Sequence, residues 1–258
     1  MNLDFLNPSQ KSAVELTDGP VMILAGAGSG KTRTLVARIQ YLLEEMNVSP
    51  FQVLAVTFSN KAAKEMRERL AHSSQINIGA LQVTTFHAFC ARVLRAEATY
   101  LGLSKNFTIY DDSESQSIIK ALMSKRGMSQ KEISPYTIAA YIDGLKNLGY
   151  YLGLKKNADV EKYAEDTRLF SLFQEYEAEL HRSNALDFGG LITGVLNLFK
   201  NFPQVLEKYQ QKYKYVLVDE YQDTNRAQFD LIRLLSEKTR NICVVGDEDQ
   251  SIYSWRGA

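Results

Sequence analysis

Apolar residues fall along this chain in two rhythms. Short, nearly unbroken apolar runs occur at Pro20–Leu24 (PVMIL), Gln52–Phe58 (QVLAVTF), Leu81–Phe86 (LQVTTF), Tyr215–Asp219 (YVLVD) and Asn241–Gly246 (NICVVG). They are rich in β-branched residues and alternate little, as strands do when a parallel sheet is covered on both faces. Between them the spacing becomes that of amphipathic helices. KTRTLVARIQYLLEEM sets Leu35, Ile39, Leu42 and Leu43 on one face, and NKAAKEMRERLA and TNRAQFDLIRLLSE follow the same rule. This strand–helix alternation predicts an α/β fold, a doubly wound parallel sheet with helices on both faces.

The alternation stops in the middle. From about Cys90 to Leu206 the pattern is helical (FCARVLRAEATYL, SESQSIIKALMSKRG, RLFSLFQEYEAELHRS) with hardly any strand signal. Gly127, Pro135, Gly144, Gly149 and Gly153 punctuate it. The expectation is an inserted all-helical subdomain spanning 89–206, set into a discontinuous domain made of 1–88 and 207–258. There are no internal repeats and no low-complexity segment.

Composition narrows the class. Hydrophobic residues are 45% and charged residues 23% of the 258, which excludes a disordered chain. Thirty Lys and Arg balance thirty Asp and Glu, so a nucleic-acid partner would have to be met by a local basic surface. The two cysteines, Cys90 and Cys243, are isolated within apolar stretches, which argues against a disulfide framework or a zinc site. MNLDFLNPSQ has neither the basic nor the apolar region of a secretory signal. No apolar run approaches the ~18 residues of a membrane span. A cytoplasmic protein without a membrane partner is expected.

Candidate chemistry sits where strands end. VMILAGAGSGKTRTL is a strand, a Gly-rich turn and a helix start, the context of a phosphate-binding loop. Gly26, Gly28 and Gly30, with Ala25, Ala27 and Ser29, would turn backbone N–H groups toward an anion at the positive end of the following helix. Lys31 would reach the β- and γ-phosphates of ATP, and the Thr32 hydroxyl would ligate Mg²⁺. The strict pattern begins with Gly, whereas Ala25 stands there. KYVLVDEYQD places Asp219 and Glu220 at the carboxyl end of another strand, Asp219 for Mg²⁺ and Glu220 to polarise an attacking water. Asp219 follows Thr32 by 187 residues, far more than a few βα units of roughly 30 residues need, in keeping with a large insertion. In VVGDEDQSIYSWRGA, Gln250 could sense a γ-phosphate. Tyr253, Trp255 (the lone tryptophan) and Arg256 suit a base-stacking platform.

In order, LNPSQ, AGAGSGKTRTL, VTFSNKAAKEMRERL, TTFHAFCARVLR, VDEYQDTN and VVGDEDQSIYSWRGA resemble the Q-motif and motifs I, Ia, Ib, II and III of superfamily 1A DNA helicases of the UvrD/Rep/PcrA type. Ala25 is usual in that family. The resemblance implies a P-loop NTPase (RecA-like) domain 1A carrying the helical subdomain 1B. It implies an ATP- and Mg²⁺-dependent 3′→5′ helicase acting on single-stranded DNA and its junctions with duplex, with DNA repair among the pathways. Gln10 would read adenine and Arg33 would stack on it. Phe58, Asn60, Lys61, Thr85 and His87 would contact DNA with Tyr253 and Trp255, although by pattern alone Phe58 reads as core and His87 as a buried histidine. Arg256 would approach the γ-phosphate. Motifs IV to VI and a second RecA-like domain would lie after Ala258, so the chain by itself is expected to hydrolyse ATP poorly and not to unwind DNA. Two alternatives stay open: part of a related helicase–nuclease subunit, and an ATP-regulated DNA-binding module without unwinding. The insert could also meet protein partners.

Overall fold

The computed structural model describes residues 1–26, 28–73, 78–154 and 157–247. Helix α1 (Pro8–Glu15) opens the chain, with Asn7 and Gln10 closing a reciprocal capping box over its first turn. There follow β1 (Val21–Leu24), α2 (Lys31–Glu44), β2 (Val53–Thr57), α3 (Asn60–Ser73), β3 (Gln82–Thr85) and α4 (Phe86–Glu97). The middle of the chain forms β4 (Thr108–Tyr110), α5 (Asp112–Lys125), α6 (Pro135–Asn147), α7 (Ala158–Ala164), α8 (Thr167–Arg182), β5 (Ala185–Asp187), α9 (Phe188–Asn201) and α10 (Pro203–Lys212). The α/β pattern then resumes with β6 (Tyr215–Val218), α11 (Arg226–Ser236) and β7 (Ile242–Gly246).

All five apolar runs become strands of one wholly parallel sheet, in the order β1-β7-β6-β2-β3. Side chains alternate between its faces. Val53, Ala55, Leu217 and Val245 face α2 and α3, where Leu35, Ile39, Leu42, Met66 and Leu70 complete one core. Leu54, Val56, Val216, Val218 and Val244 face the other way, onto Phe89 and Val93 of α4, Leu191 and Val195 of α9, and Leu231 and Leu235 of α11. Burial on both faces holds for β2, which is buried at all five positions, but not for β1. Met22 and Leu24 are 59% and 60% exposed because β1 is an edge strand paired only with β7, and α2 covers only its other face.

The middle segment divides between two cores. Its α4, α9 and α10 pack on the sheet, whereas Ile119 and Met123 (α5), Ile138 and Ile142 (α6) and Phe173 and Tyr176 (α8) form a separate cluster. The segment is otherwise helical, but β4 and β5 pair in parallel, Thr108 with Ala185 and Tyr110 with Asp187. Strands of three residues are too short to leave a periodic signal.

A buried ion cluster ties these elements together. The Lys146 ammonium lies 2.7 Å from both oxygens of Asp187 and 2.6 Å from Glu177 Oε1. Tyr176 donates to Asp187 Oδ2 at 2.8 Å, and the Gly190 N–H donates to Oδ1 at 2.6 Å, so Asp187 also caps α9. Burial opposes the charge on Lys146, but the two carboxylates outweigh it and hold its pKa above the usual lysine value. Breaking a buried pair by removing one partner leaves an uncompensated charge, at a cost of about 3–5 kcal/mol. Lys146→Met is therefore expected to lower unfolding stability by about that much in urea titrations at neutral pH. A loss below about 1 kcal/mol would show that Asp187 and Glu177 do not depend on it.

Candidate nucleotide and DNA site

Because the sheet is parallel, every strand delivers its carboxyl end to the same edge, where open α/β sheets bind ligands. The hydrogen bonding of β1 to β7 runs one step further, with the Ala25 N–H donating to the Gly246 carbonyl at 3.1 Å. The chain then turns through Gly28 (φ 70°) and Gly30 (φ 88°), left-handed conformations that glycine adopts without penalty. Ser29 closes the turn by donating its Oγ to the Gly26 carbonyl at 2.6 Å. Gly30 is the N-cap of α2, so that helix begins with its N–H groups at the turn.

Side chains converge on this turn. Lys31 Nζ pairs with Asp247 Oδ2 at 3.0 Å, both side chains almost wholly buried. Thr32 Oγ1 donates to Asp219 Oδ2 at 3.3 Å, and the Glu220 N–H donates to Asp219 Oδ1 at 3.1 Å. Glu220 is held at φ 52°, ψ 47°, a conformation a non-glycine residue adopts only when its surroundings impose it. The Arg33 guanidinium folds back over Gly30, where a Cβ would lie 3.1 Å from it. Gln10 Nε2 donates to the Ser29 carbonyl at 2.8 Å while its Oε1 accepts from the Asn7 N–H. Burial, and then the neighbouring Glu220 charge, push the Asp219 carboxyl up to about 6. Asp223 is raised by the same two causes, and its buried Oδ1 has no hydrogen-bond partner. Hard oxygen donors from Thr32 and Asp219 thus meet beside the phosphate turn, a set that suits a Mg²⁺ ion shared with phosphates and water.

The DNA candidates lie along the same edge. Phe58 is half-buried just past β2, and Asn60 and Lys61 are exposed in the first turn of α3. Thr85 is buried and its hydroxyl caps α4 by accepting from the Ala88 N–H at 3.3 Å. His87 is half-buried and stands edge-on to Phe188, ring centres 5.6 Å apart. Ala27, Gln250, Tyr253, Trp255 and Arg256 lie outside the described residues.

Residues 6–258 match the family described as UvrD/REP helicase N-terminal domain. The chain belongs to that family. Curated relatives named ATP-dependent DNA helicase PcrA, from Staphylococcus aureus strains Mu50 and COL, are 46% identical to it over 259 residues. The match takes in 99% of this chain and 35% of each relative. A PcrA helicase from Staphylococcus epidermidis is 46% identical over 256 residues, 98% of this chain and 34% of the relative. The chain thus spans about a third of the length of the relatives it matches. Among the described residues, no helix is long and apolar enough to cross a membrane.

Within this UvrD/REP domain the geometry adds residues that the sequence reading did not single out. Asp247, the first polar residue after β7, stands where Asp219 stands after β6, and that parallel could have marked it. Gln222 donates to Glu220 Oε2 at 2.7 Å and accepts from the Asp247 N–H at 3.0 Å. Phe188 is 49% exposed, unusual for an aromatic at a helix start, but nothing in ALDFGG announces it. Arg38 is fully buried, and its guanidinium donates to the carbonyls of Ala13, Leu16 and Thr17, holding the end of α1, and with it Gln10, against α2.

The Asp219 pKa has a sign. A carboxyl raised from 3.8 to about 6 on folding favours the folded state at low pH and loses that contribution as pH rises through about 6. The displacement bounds the strain at roughly 3 kcal/mol. Asp219→Asn is expected to raise the melting temperature of the nucleotide-free chain at about pH 8, with the gain shrinking toward pH 4. An unchanged or lower melting temperature at pH 8 would mean that the carboxylate is well satisfied where it stands.

Proposed function

We propose that this chain is the ATP-binding and single-stranded-DNA-binding part of a 3′→5′ DNA translocase and helicase that uses Mg²⁺. The observation that carries the reading is the meeting of Lys31, Thr32, Asp219, Glu220 and Asp247 at one sheet edge, in a chain of the UvrD/REP family. The direction of travel rests on the family resemblance. Residues 1–88 and 207–258 form the ATP-binding domain and 89–206 the inserted one.

The residues divide the work. Backbone N–H groups of the turn from Gly26 to Lys31 cradle phosphate, and Lys31 leaves Asp247 to neutralise the β- and γ-phosphates. Thr32 and Asp219 would hold Mg²⁺, whose charge would offset that of the phosphate oxygens. Glu220 accepts a proton from the attacking water as its oxygen bonds to the γ-phosphorus and the bond to ADP breaks. Gln10 and Arg33 turn from Ser29 and Gly30 to the adenine, and the family resemblance gives Gln250 and Arg256 a role toward the γ-phosphate. The groove for single-stranded DNA runs past Phe58, Asn60, Lys61, Thr85 and His87, with Phe188 beside His87, and the family resemblance adds Tyr253 and Trp255 as DNA contacts.

Two titrations test this. A fluorescent ATP analogue with Mg²⁺ is expected to bind the chain, and Lys31→Ala to weaken it at least about tenfold, as loss of a charge-assisted phosphate contact requires. A single-stranded oligonucleotide is expected to quench Trp255 more than a duplex does, with the effect fading as salt rises. Nucleotide binding that ignores Lys31 would sink the ATP reading, and emission indifferent to DNA would sink the assignment of Trp255.

A further inference from the structure

We propose that Gln222 is a positioning residue that joins the carboxylate of Glu220 to the backbone at the exit of β7, so that the water-activating group and the chain leaving Asp247 move together. The inference rests on the ATP reading above. Gln222 lies in the short turn Tyr221–Asp223 that follows Glu220, and its amide is engaged at both ends. Nε2 donates to Glu220 Oε2 at 2.7 Å, and Oε1 accepts from the Asp247 N–H at 3.0 Å. The contact depends on a bare Cα. A Cβ on Gly246 would lie 3.0 Å from Gln222 Oε1 and 3.4 Å from its backbone nitrogen.

Each link has a chemical consequence. The N–H donated to Glu220 fixes the orientation of its carboxylate and occupies Oε2, so that Oε1 is left for water. Glu220 sits on a left-handed backbone that needs such a hold. At the other end, the Asp247 carboxylate pairs with Lys31 at 3.0 Å. The series Glu220, Gln222, Asp247, Lys31 therefore connects the group that meets phosphate to the group that meets water. It passes through the one backbone segment that leads on to residues 248–258. Phosphate that draws Lys31 away from Asp247 releases one end of the series, and Gln222 carries that release to the base and to the chain beyond β7.

Gln222→Ala removes both hydrogen bonds. Gln222→Glu can still accept from Asp247 but sets a second carboxylate against Glu220. Three readouts are needed in the 258-residue chain: affinity for the fluorescent ATP analogue, the change in Trp255 emission on adding Mg²⁺–ATP, and single-turnover ATP hydrolysis with protein in excess. Both variants are expected to keep nucleotide affinity within about threefold while losing most of the Trp255 response and about tenfold or more in the single-turnover rate. A wild-type response in either variant overturns the proposal, as does a wild-type chain that binds nucleotide with no change in Trp255. Loss of nucleotide affinity together with melting temperature in both variants would leave Gln222 a structural residue only. Failure of the wild-type chain to bind nucleotide, or indifference to Lys31→Ala, would instead refute the ATP reading.

Discussion

The in-register parallel pairing of β1, β7 and β6 brings Leu24 opposite Gly246 and Val218 opposite Val244. Parallel strands run in one direction, so three chain segments separated by up to 222 residues leave the sheet side by side at the same edge, β6 two residues before β7 and β1. Everything at the candidate site follows from that alignment. Lys31 meets Asp247 across 216 positions in sequence, and Thr32 meets Asp219 across 187. None of these side chains is long enough to find its partner if the register slips, since a shift of one residue would also turn each strand's buried face outward.

A large insertion strains such an arrangement, because the chain must leave the sheet after β3 and return at β6 without disturbing the register between β2 and β6. The solution is to pack the returning helices on the sheet itself. Leu191, Val195 and Leu198 of α9 share a core with Leu54, Val56 and Val218, so the segment between the two halves of the sheet is also part of its cover. The Lys146 cluster works at the other end of α9. It fastens the first turn of that helix to α6 and α8, which belong to a separate core. Buried charges suit this joint because they tolerate only one geometry, whereas an apolar contact would accept several.

Much of this was legible in the sequence because it is local. A buried strand followed by a Gly-rich turn and GKT, or by DE, marks where those residues will stand, since they begin or end the element. All five long strands announced themselves in the same way. The exposure of Met22 and Leu24 was not legible: an edge strand and a central one share the same apolar composition, and only the pairing order tells them apart. The strands β4 and β5 were too short to show a period. Partnerships such as Lys31 with Asp247, Gln222 with the Asp247 N–H, or Phe188 with His87 depend on three-dimensional juxtaposition, which no spacing along the chain records.

Away from any ligand, the phosphate turn is already satisfied by the protein. Lys31 has a carboxylate, Gln10 has the Ser29 carbonyl, Arg33 covers Gly30 and Thr32 has Asp219. A buried ammonium or amide left without a partner would cost more than most single contacts return, so these interactions keep the site folded while it waits. On the proposed reading each would be exchanged for one to nucleotide or metal, and affinity would be the difference between the two sets rather than the sum of the new one. Asp219 is the exception that tilts the exchange. It is the member of the set whose carboxyl is pushed upward by burial and by its neighbour's charge, so on the proposed reading a cation beside it would relieve a cost already present in the folded chain. On that reading the site is poised through Asp219, with Lys31, Gln10 and Thr32 held by bonds that nucleotide or metal would replace.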